Sequence, residues 1–132
     1  GKVTSWIWVD QKVVFALHDE QIFEHGGQSG IRDQGLLDSA LARPLNRANY
    51  DEASVSALAA SYGFGIAKNH PFLDGNKRTA LVVTELFLML NGYILNADDA
   101  SSLVTFLALA DGSLTEEALS EWVNQNIIPA DE

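Results

Sequence analysis

Between His70 and Ala80 the chain reads His-Pro-Phe-Leu-Asp-Gly-Asn-Lys-Arg-Thr-Ala, and almost every position has a chemical or conformational use. His70 can take a proton from a hydroxyl. Asp74 is a hard carboxylate suited to a divalent cation that bridges phosphate oxygens. Gly75 permits a tight turn, and Asn76, Lys77 and Arg78 follow where a helix can open. The dipole, the first free N–H groups and two cationic side chains then converge on one point, which is an anion site. These residue types in this order suit group transfer from a polyphosphate. His70 is the general base, the turn of Gly75, Asn76, Lys77 and Arg78 holds the phosphates, and Asp74 holds Mg²⁺.

A mundane account exists for each residue alone. A single loop His is usually a satisfied polar group, Gly-Asn is a common turn, and Lys or Arg at a helix start is usually solvated. Cations at a helix N-terminus are nevertheless unfavourable by about a few tenths of a kcal/mol unless an anion offsets them. Two in succession directly after a Gly-Asn turn favour the functional account.

The flanking elements must present this stretch. Pro71 disfavours the helical region for the residue before it, which predicts that a helix ends at Asn69 and leaves His70 extended on a loop. Phe72 is expected to plug back into the core and fix the loop. Before it, Ser54 starts a helix with Val55, Leu58, Ala59, Tyr62 and Ile66 on one stripe, and Gly63 and Gly65 within it predict close packing. After it, Asn76 to Asn91 reads as a helix apolar on nearly every side, the expected buried centre of the fold, stopped by Gly92.

Nearer the start, Trp6 to Val9 is apolar and fits either a strand or a hydrophobic arm. Asp10 caps a helix that Gly26-Gly27 stops; His18 and His25 on it are too far apart to share one metal ion and read as structural or surface residues. Gly26 to Asp33 is a glycine-rich connector. Asp33 caps a second helix that Pro44 is expected to terminate, with Asn46 to Glu52 as a loop. Asp98 or Asp99 opens a helix to Gly112, and Ser113 or Thr115 caps the last, with Leu119, Trp122 and Val123 inward. The pattern predicts an all-α orthogonal bundle around one buried central helix, with residues 1–132 as a single domain.

The signature is similar to that of the Fic/Doc proteins, His-Pro-Phe-x-(Asp/Glu)-Gly-Asn-(Gly/Lys)-Arg, over all nine positions from His70 to Arg78. Ala16-Leu17-His18-Asp19, Gly26-Gly27 and Arg32-Asp33-x-Gly35-Leu36-Leu37 resemble the amino-terminal part of the Doc, or death-on-curing, branch. Lys77 and Leu81 stand where Fic adenylyltransferases carry a second Gly and a second Arg, and both point to that branch.

The resemblance implies a Fic-like bundle with a short flap before the second helix, where Gly27, Gly30, Ile31 and Arg32 dock an extended target segment by strand addition. It implies a toxin that moves the γ-phosphate of ATP, with Mg²⁺, onto translation elongation factor Tu, restrained by a Phd-like antitoxin. Lys77, filling the place of a Gly, would turn the nucleotide end for end. An adenylyltransferase and a catalytically silent binding module are the alternatives. Self-inhibited Fic proteins carry (Ser/Thr)-x-x-x-Glu-(Gly/Asn), and the nearest stretch here, Ser113 to Glu117, is followed by Ala118.

Composition narrows the setting. A net charge of −10 opposes binding to nucleic acid. The absence of cysteine excludes disulfides and thiolate metal sites and points to a reducing cytoplasm, which the resemblance implies is a bacterial one. No leader pattern and no run of eighteen apolar residues is visible, so no membrane partner is expected. Gly1-Lys2-Val3, without an initiating Met, is a candidate for a non-native addition.

Overall fold

The computed structural model describes residues 5–50 and 52–130. Gly1-Lys2-Val3 and Asp51 within the expected Asn46 to Glu52 loop lie outside them. The described residues form helices α1 (Gln11–His25), α2 (Gln34–Tyr50), α3 (Val55–Asn69), α4 (Asn76–Leu90), α5 (Asp99–Ala110) and α6 (Glu116–Gln125). Two three-residue strands, β1 (Tyr93–Leu95) and β2 (Ile127–Pro129), pair antiparallel with Ile94 opposite Ile128. The expected helical bundle is therefore present, with a small sheet that the sequence did not reveal.

Side-chain caps set the helix starts. Asp10, Ser54, Asp98 and Thr115 each accept a hydrogen bond from a first-turn backbone N–H, and Asp33 Oδ1 accepts from Leu36 N–H at 2.9 Å. Thr115 caps α6, whereas Ser113 bonds Asp111 and the carbonyl of Ala108.

The most enclosed helix is α3, not α4. Eleven of its fifteen residues are buried, against seven of fifteen in α4, and it packs on α2, α4, α5 and α6. Its Ala, Ser and Gly residues explain why. A Cβ on Gly63 would lie 2.6 Å from Thr84 Oγ1, and one on Gly65 would lie 3.2 Å from Ala40, so neighbours approach its backbone directly. The long apolar side chains of α4 instead spread over several faces, leaving Met89 exposed and Leu81, Val82 and Leu86 half-buried.

Pro44 does not terminate α2; it is buried inside it, and the helix runs through the expected loop to Tyr50. Pro44 has no N–H to give the carbonyl of Ala40. Gly65 of α3 packs on that same residue, so the Leu37, Ala40, Pro44 stripe is held by tertiary packing over local preference.

The Trp6 to Val9 run is an apolar arm without regular structure. Trp8 stacks on Phe87 at 5.8 Å, Val9 N–H donates to the Tyr62 hydroxyl, and Ile7 exchanges main-chain bonds with the Asn91 amide.

Candidate active site

The signature bridges α3 and α4. His70 is not extended: it is the C-cap of α3 in the left-handed region, φ 51° and ψ 55°, with its N–H on Ile66 O. Pro71 excludes the right-handed helical region for His70, and the left-handed one ends the helix while sparing that last bond. His70 is exposed, so a second molecule can reach it.

Asn76 ties the loop to the helix start. Its Oδ1 accepts from Phe72 N–H at 2.9 Å, and its Nδ2 donates to Phe72 O at 2.9 Å. Those two main-chain partners fix which way the amide faces. Nδ2 therefore also meets His70 Nδ1, at 3.2 Å. The side chain of Asn76 is buried and turned inward, so what it can offer a ligand at the start of α4 is its backbone N–H.

α1 seats the loop from beneath. His18 is buried and stacks on Phe72 with ring centres 3.8 Å apart, and its Nε2–H donates to Asp74 O at 2.8 Å. A carbonyl only accepts, so the proton of His18 is on Nε2. Phe72 is buried as expected. Gly75, φ 77°, opens α4, and a Cβ there would lie 3.2 Å from Ile22 Cδ1. Both the turn and the close approach of α1 require glycine here.

The N–H groups of Asn76, Lys77 and Arg78 have no intrahelical acceptor, since the first helical bond is Thr79 N–H to Gly75 O. They open onto a recess of about 200 Å³ lined by Gln21, His25, Gly26, Gly27, Asp74, Gly75, Asn76, Lys77 and Arg78. A second recess of about 330 Å³ adjoins it and shares Gln21, His25 and Arg78. Its other walls are Leu81, Val82 and Leu103, with the carboxylates Glu24, Glu85 and Asp99. Burial, and secondly the charge of Asp99, push the Glu85 carboxyl above its ordinary range.

The flap of residues 26–33 is bound to the signature. Ile31 and Phe72 form an antiparallel bridge, flanked by Leu73 N–H to Gly30 O and Arg32 N–H to Pro71 O. Gln28 N–H donates to Asp74 Oδ2 at 2.7 Å, and a Cβ on Gly27 would lie 3.1 Å from Asp74 Cβ. Arg32, expected to dock a target, spends its guanidinium on the carbonyls of His70 and Asn69. It is a clamp behind His70. Because residues 30 and 32 bond inward, the N–H and C=O of Ile31 point to the outer edge.

Among the described residues no group of three His, Asp or Glu side chains converges on one point. Asp74 offers a hard carboxylate at the mouth of an anion recess, with Oδ2 already taken by the flap. That donor set fits Mg²⁺, which is commonly held by one or two carboxylates together with substrate phosphates and water. No helix among the described residues is long and apolar enough to cross a membrane.

Residues 8–88, which contain both flap and signature, match the sequence model of the Fic/DOC family, and the chain belongs to that family. It is similar to Protein kinase doc of Escherichia phage P1, 36% identical over 85 residues that cover 64% of this chain and 68% of the relative. It is also similar to Toxin Doc of Mycolicibacterium smegmatis, 43% identical over 76 residues that cover 55% of this chain and 58% of the relative.

The sequence singled out His70, Asp74, Gly75, Asn76, Lys77 and Arg78, and the structure places them along one loop and helix start. It did not single out Gln21, His25 and Gln28, nor the roles of His18 and Arg32. One signal was available: positions 18, 21, 22 and 25 share a helical face that must lie against something.

Proposed function

We propose that this chain is a protein phosphotransferase, the toxin of a toxin–antitoxin pair, which moves the γ-phosphate of ATP to a hydroxyl of a bacterial cytoplasmic target, translation elongation factor Tu. One observation carries the reading: the Asn76 amide fixes the His70 ring against the start of α4, so a base stands beside a helix terminus bearing two cations. The names of the two relatives support it.

With Asn76 donating to Nδ1, neutral His70 carries its proton on Nε2 and its lone pair on Nδ1. That contact positions the ring until a target hydroxyl arrives and displaces the amide as the donor to Nδ1. The hydroxyl oxygen bonds to the γ-phosphorus as its proton passes to His70. The bond from the γ-phosphorus to the bridging oxygen breaks, and ADP leaves. Gly75, Lys77, Arg78 and the free N–H groups hold the phosphate oxygens, with Asp74 as the protein ligand of Mg²⁺. When bound, that ion neutralises charge building on the phosphates.

Recess size and charge orient the nucleotide. The smaller recess is below the usual range of about 300–1,000 Å³ for ligand pockets, whereas the larger one beside it lies within that range. Glu24, Glu85 and Asp99 repel phosphate, so the phosphate chain lies in the first recess and the nucleoside end faces the second. The γ-phosphate, not the α-phosphate, then sits by His70. Intact-mass analysis of elongation factor Tu after incubation with this chain, ATP and Mg²⁺ tests the reading. A gain of one phosphate supports it, and a gain of one AMP, or no gain, overturns it.

The target docks at the outer edge of Ile31 by strand addition, flanked by Gly27 and Gly30. Restraint comes from a Phd-like antitoxin whose tail folds on binding. In support, the nearest approach to an inhibitory motif, Ser113 to Glu117, ends on Ala118 where the pattern needs Gly or Asn. Phe23, 90% exposed on α1, offers apolar surface to such a partner. Cells expressing the wild-type chain should stop growing, and those expressing His70→Ala, or wild type with the antitoxin, should not. Uninhibited growth with the folded wild-type chain alone rejects the toxin reading.

A further inference from the structure

We propose that His25 is a third basic ligand of the polyphosphate and takes up a proton as the anion binds; the inference rests on nucleotide phosphates occupying the recess at the start of α4. His25 is the last residue of α1, lines both recesses and lies with Nε2 3.4 Å from Arg78 NH1. A guanidinium has only donors, so in this contact Nε2 accepts and the ring is neutral.

A phosphate oxygen entering the recess takes the Arg78 donor for itself. The ring then loses a donor and gains an acceptor, so Nε2 must carry a proton, and the negative charge of the phosphate favours the doubly protonated ring over the neutral Nε2–H tautomer. The groups around it agree with that change. Lys77 and Arg78 on α4 oppose a charged imidazole while the recess holds no anion, and a phosphate between them removes the opposition. Glu24 on α1 lies 3.6 Å from Nε2 and favours the charge, as do Glu85 on α4, Asp99 on α5 and Asp74 on the loop at longer range. The carbonyl end of α1 points its negative dipole toward the recess, which disfavours an anion until a cation at His25 offsets it. Gln21, buried one turn earlier, lines both recesses as a neutral donor and cannot supply that charge.

The test is calorimetric titration of ADP with Mg²⁺ into the full chain and its His25→Gln and His25→Lys variants. It is run at several pH values between about 6 and 8 and in two buffers of different ionisation enthalpy. Protonation of ADP itself is common to all three and cancels in the comparison. The wild type should take up more protons per ADP than His25→Gln, and its affinity should rise several-fold more as pH falls. His25→Lys, permanently charged, should bind more tightly than His25→Gln at the alkaline end without the extra proton uptake. Equal uptake and equal pH dependence in wild type and His25→Gln overturn the inference while leaving the nucleotide reading intact. Absence of ADP binding by the wild type at every pH overturns both.

Discussion

The amide of Asn76 lies 3.2 Å from Nδ1 of His70 while its other two bonds close on the main chain of Phe72, so one buried side chain touches both the loop and the His70 ring. Asn76→Ala leaves the N–H and C=O of Phe72 unpaired in a buried place, at a cost of about 1–3 kcal/mol. The melting temperature should fall, and transfer by the fraction still folded should fall as well. A variant that melts lower but transfers at the wild-type rate per folded molecule would show that Asn76 supports the fold without placing His70.

Arg32→Ala removes the clamp on the carbonyls of Asn69 and His70. Hydrogen exchange should quicken at the amides of position 32 and Leu73, which bridge flap and signature, while the core of α3 stays protected. Unchanged exchange at those two amides would mean that the bridge holds without the clamp.

Gly75→Ala places a Cβ 3.2 Å from Ile22 Cδ1 in a left-handed conformation. The strain, about 1–2 kcal/mol from conformation alone, should lower the melting temperature, and the displaced start of α4 should bind nucleotide more weakly. Ile22→Ala in the same chain should recover part of the loss of nucleotide affinity by relieving the clash. A double variant that binds nucleotide no better than Gly75→Ala would argue against close approach as the reason for glycine.

Glu85 carries a pH-dependent signature. Its carboxyl is raised by burial first and Asp99 second, so the folded state holds the proton more tightly than the unfolded one. Charged Glu85 therefore weighs against folding above the raised value, and the burden lifts as pH falls through it. Glu85→Gln should melt higher than wild type near neutral pH, with the gain shrinking as the solution is acidified. A gain of the same size at every pH would contradict this origin.

How far the sequence reveals these arrangements depends on the range of the cause. Asp10, Ser54, Asp98 and Thr115 act on N–H groups two or three residues away, and each cap is readable from neighbours alone. Pro44 is different, because the packing of Gly65 on Ala40 that holds α2 together comes from another helix. The greater burial of α3 was hidden for a related reason: its small Ala, Ser and Gly side chains lack the large apolar groups that mark a core helix, yet they let four helices pack against it. At the site, His70 to Arg78 was legible because unusual residue types crowd a short loop. Arg32 and His18 were not, since a clamp on a carbonyl 37 residues on and a stack on Phe72 leave no local mark.

The most direct test of the account is the rate of phosphate transfer from ATP to elongation factor Tu by the wild type and by His70→Ala, read under single-turnover conditions alongside MgATP affinity. His70 is exposed and caps α3 through its backbone, so the variant should fold and bind MgATP nearly as the wild type does. Its transfer rate should drop by about 10²–10⁴-fold. A His70→Ala chain that transfers phosphate at the wild-type rate would contradict the assignment of the base, and with it the reading of this site.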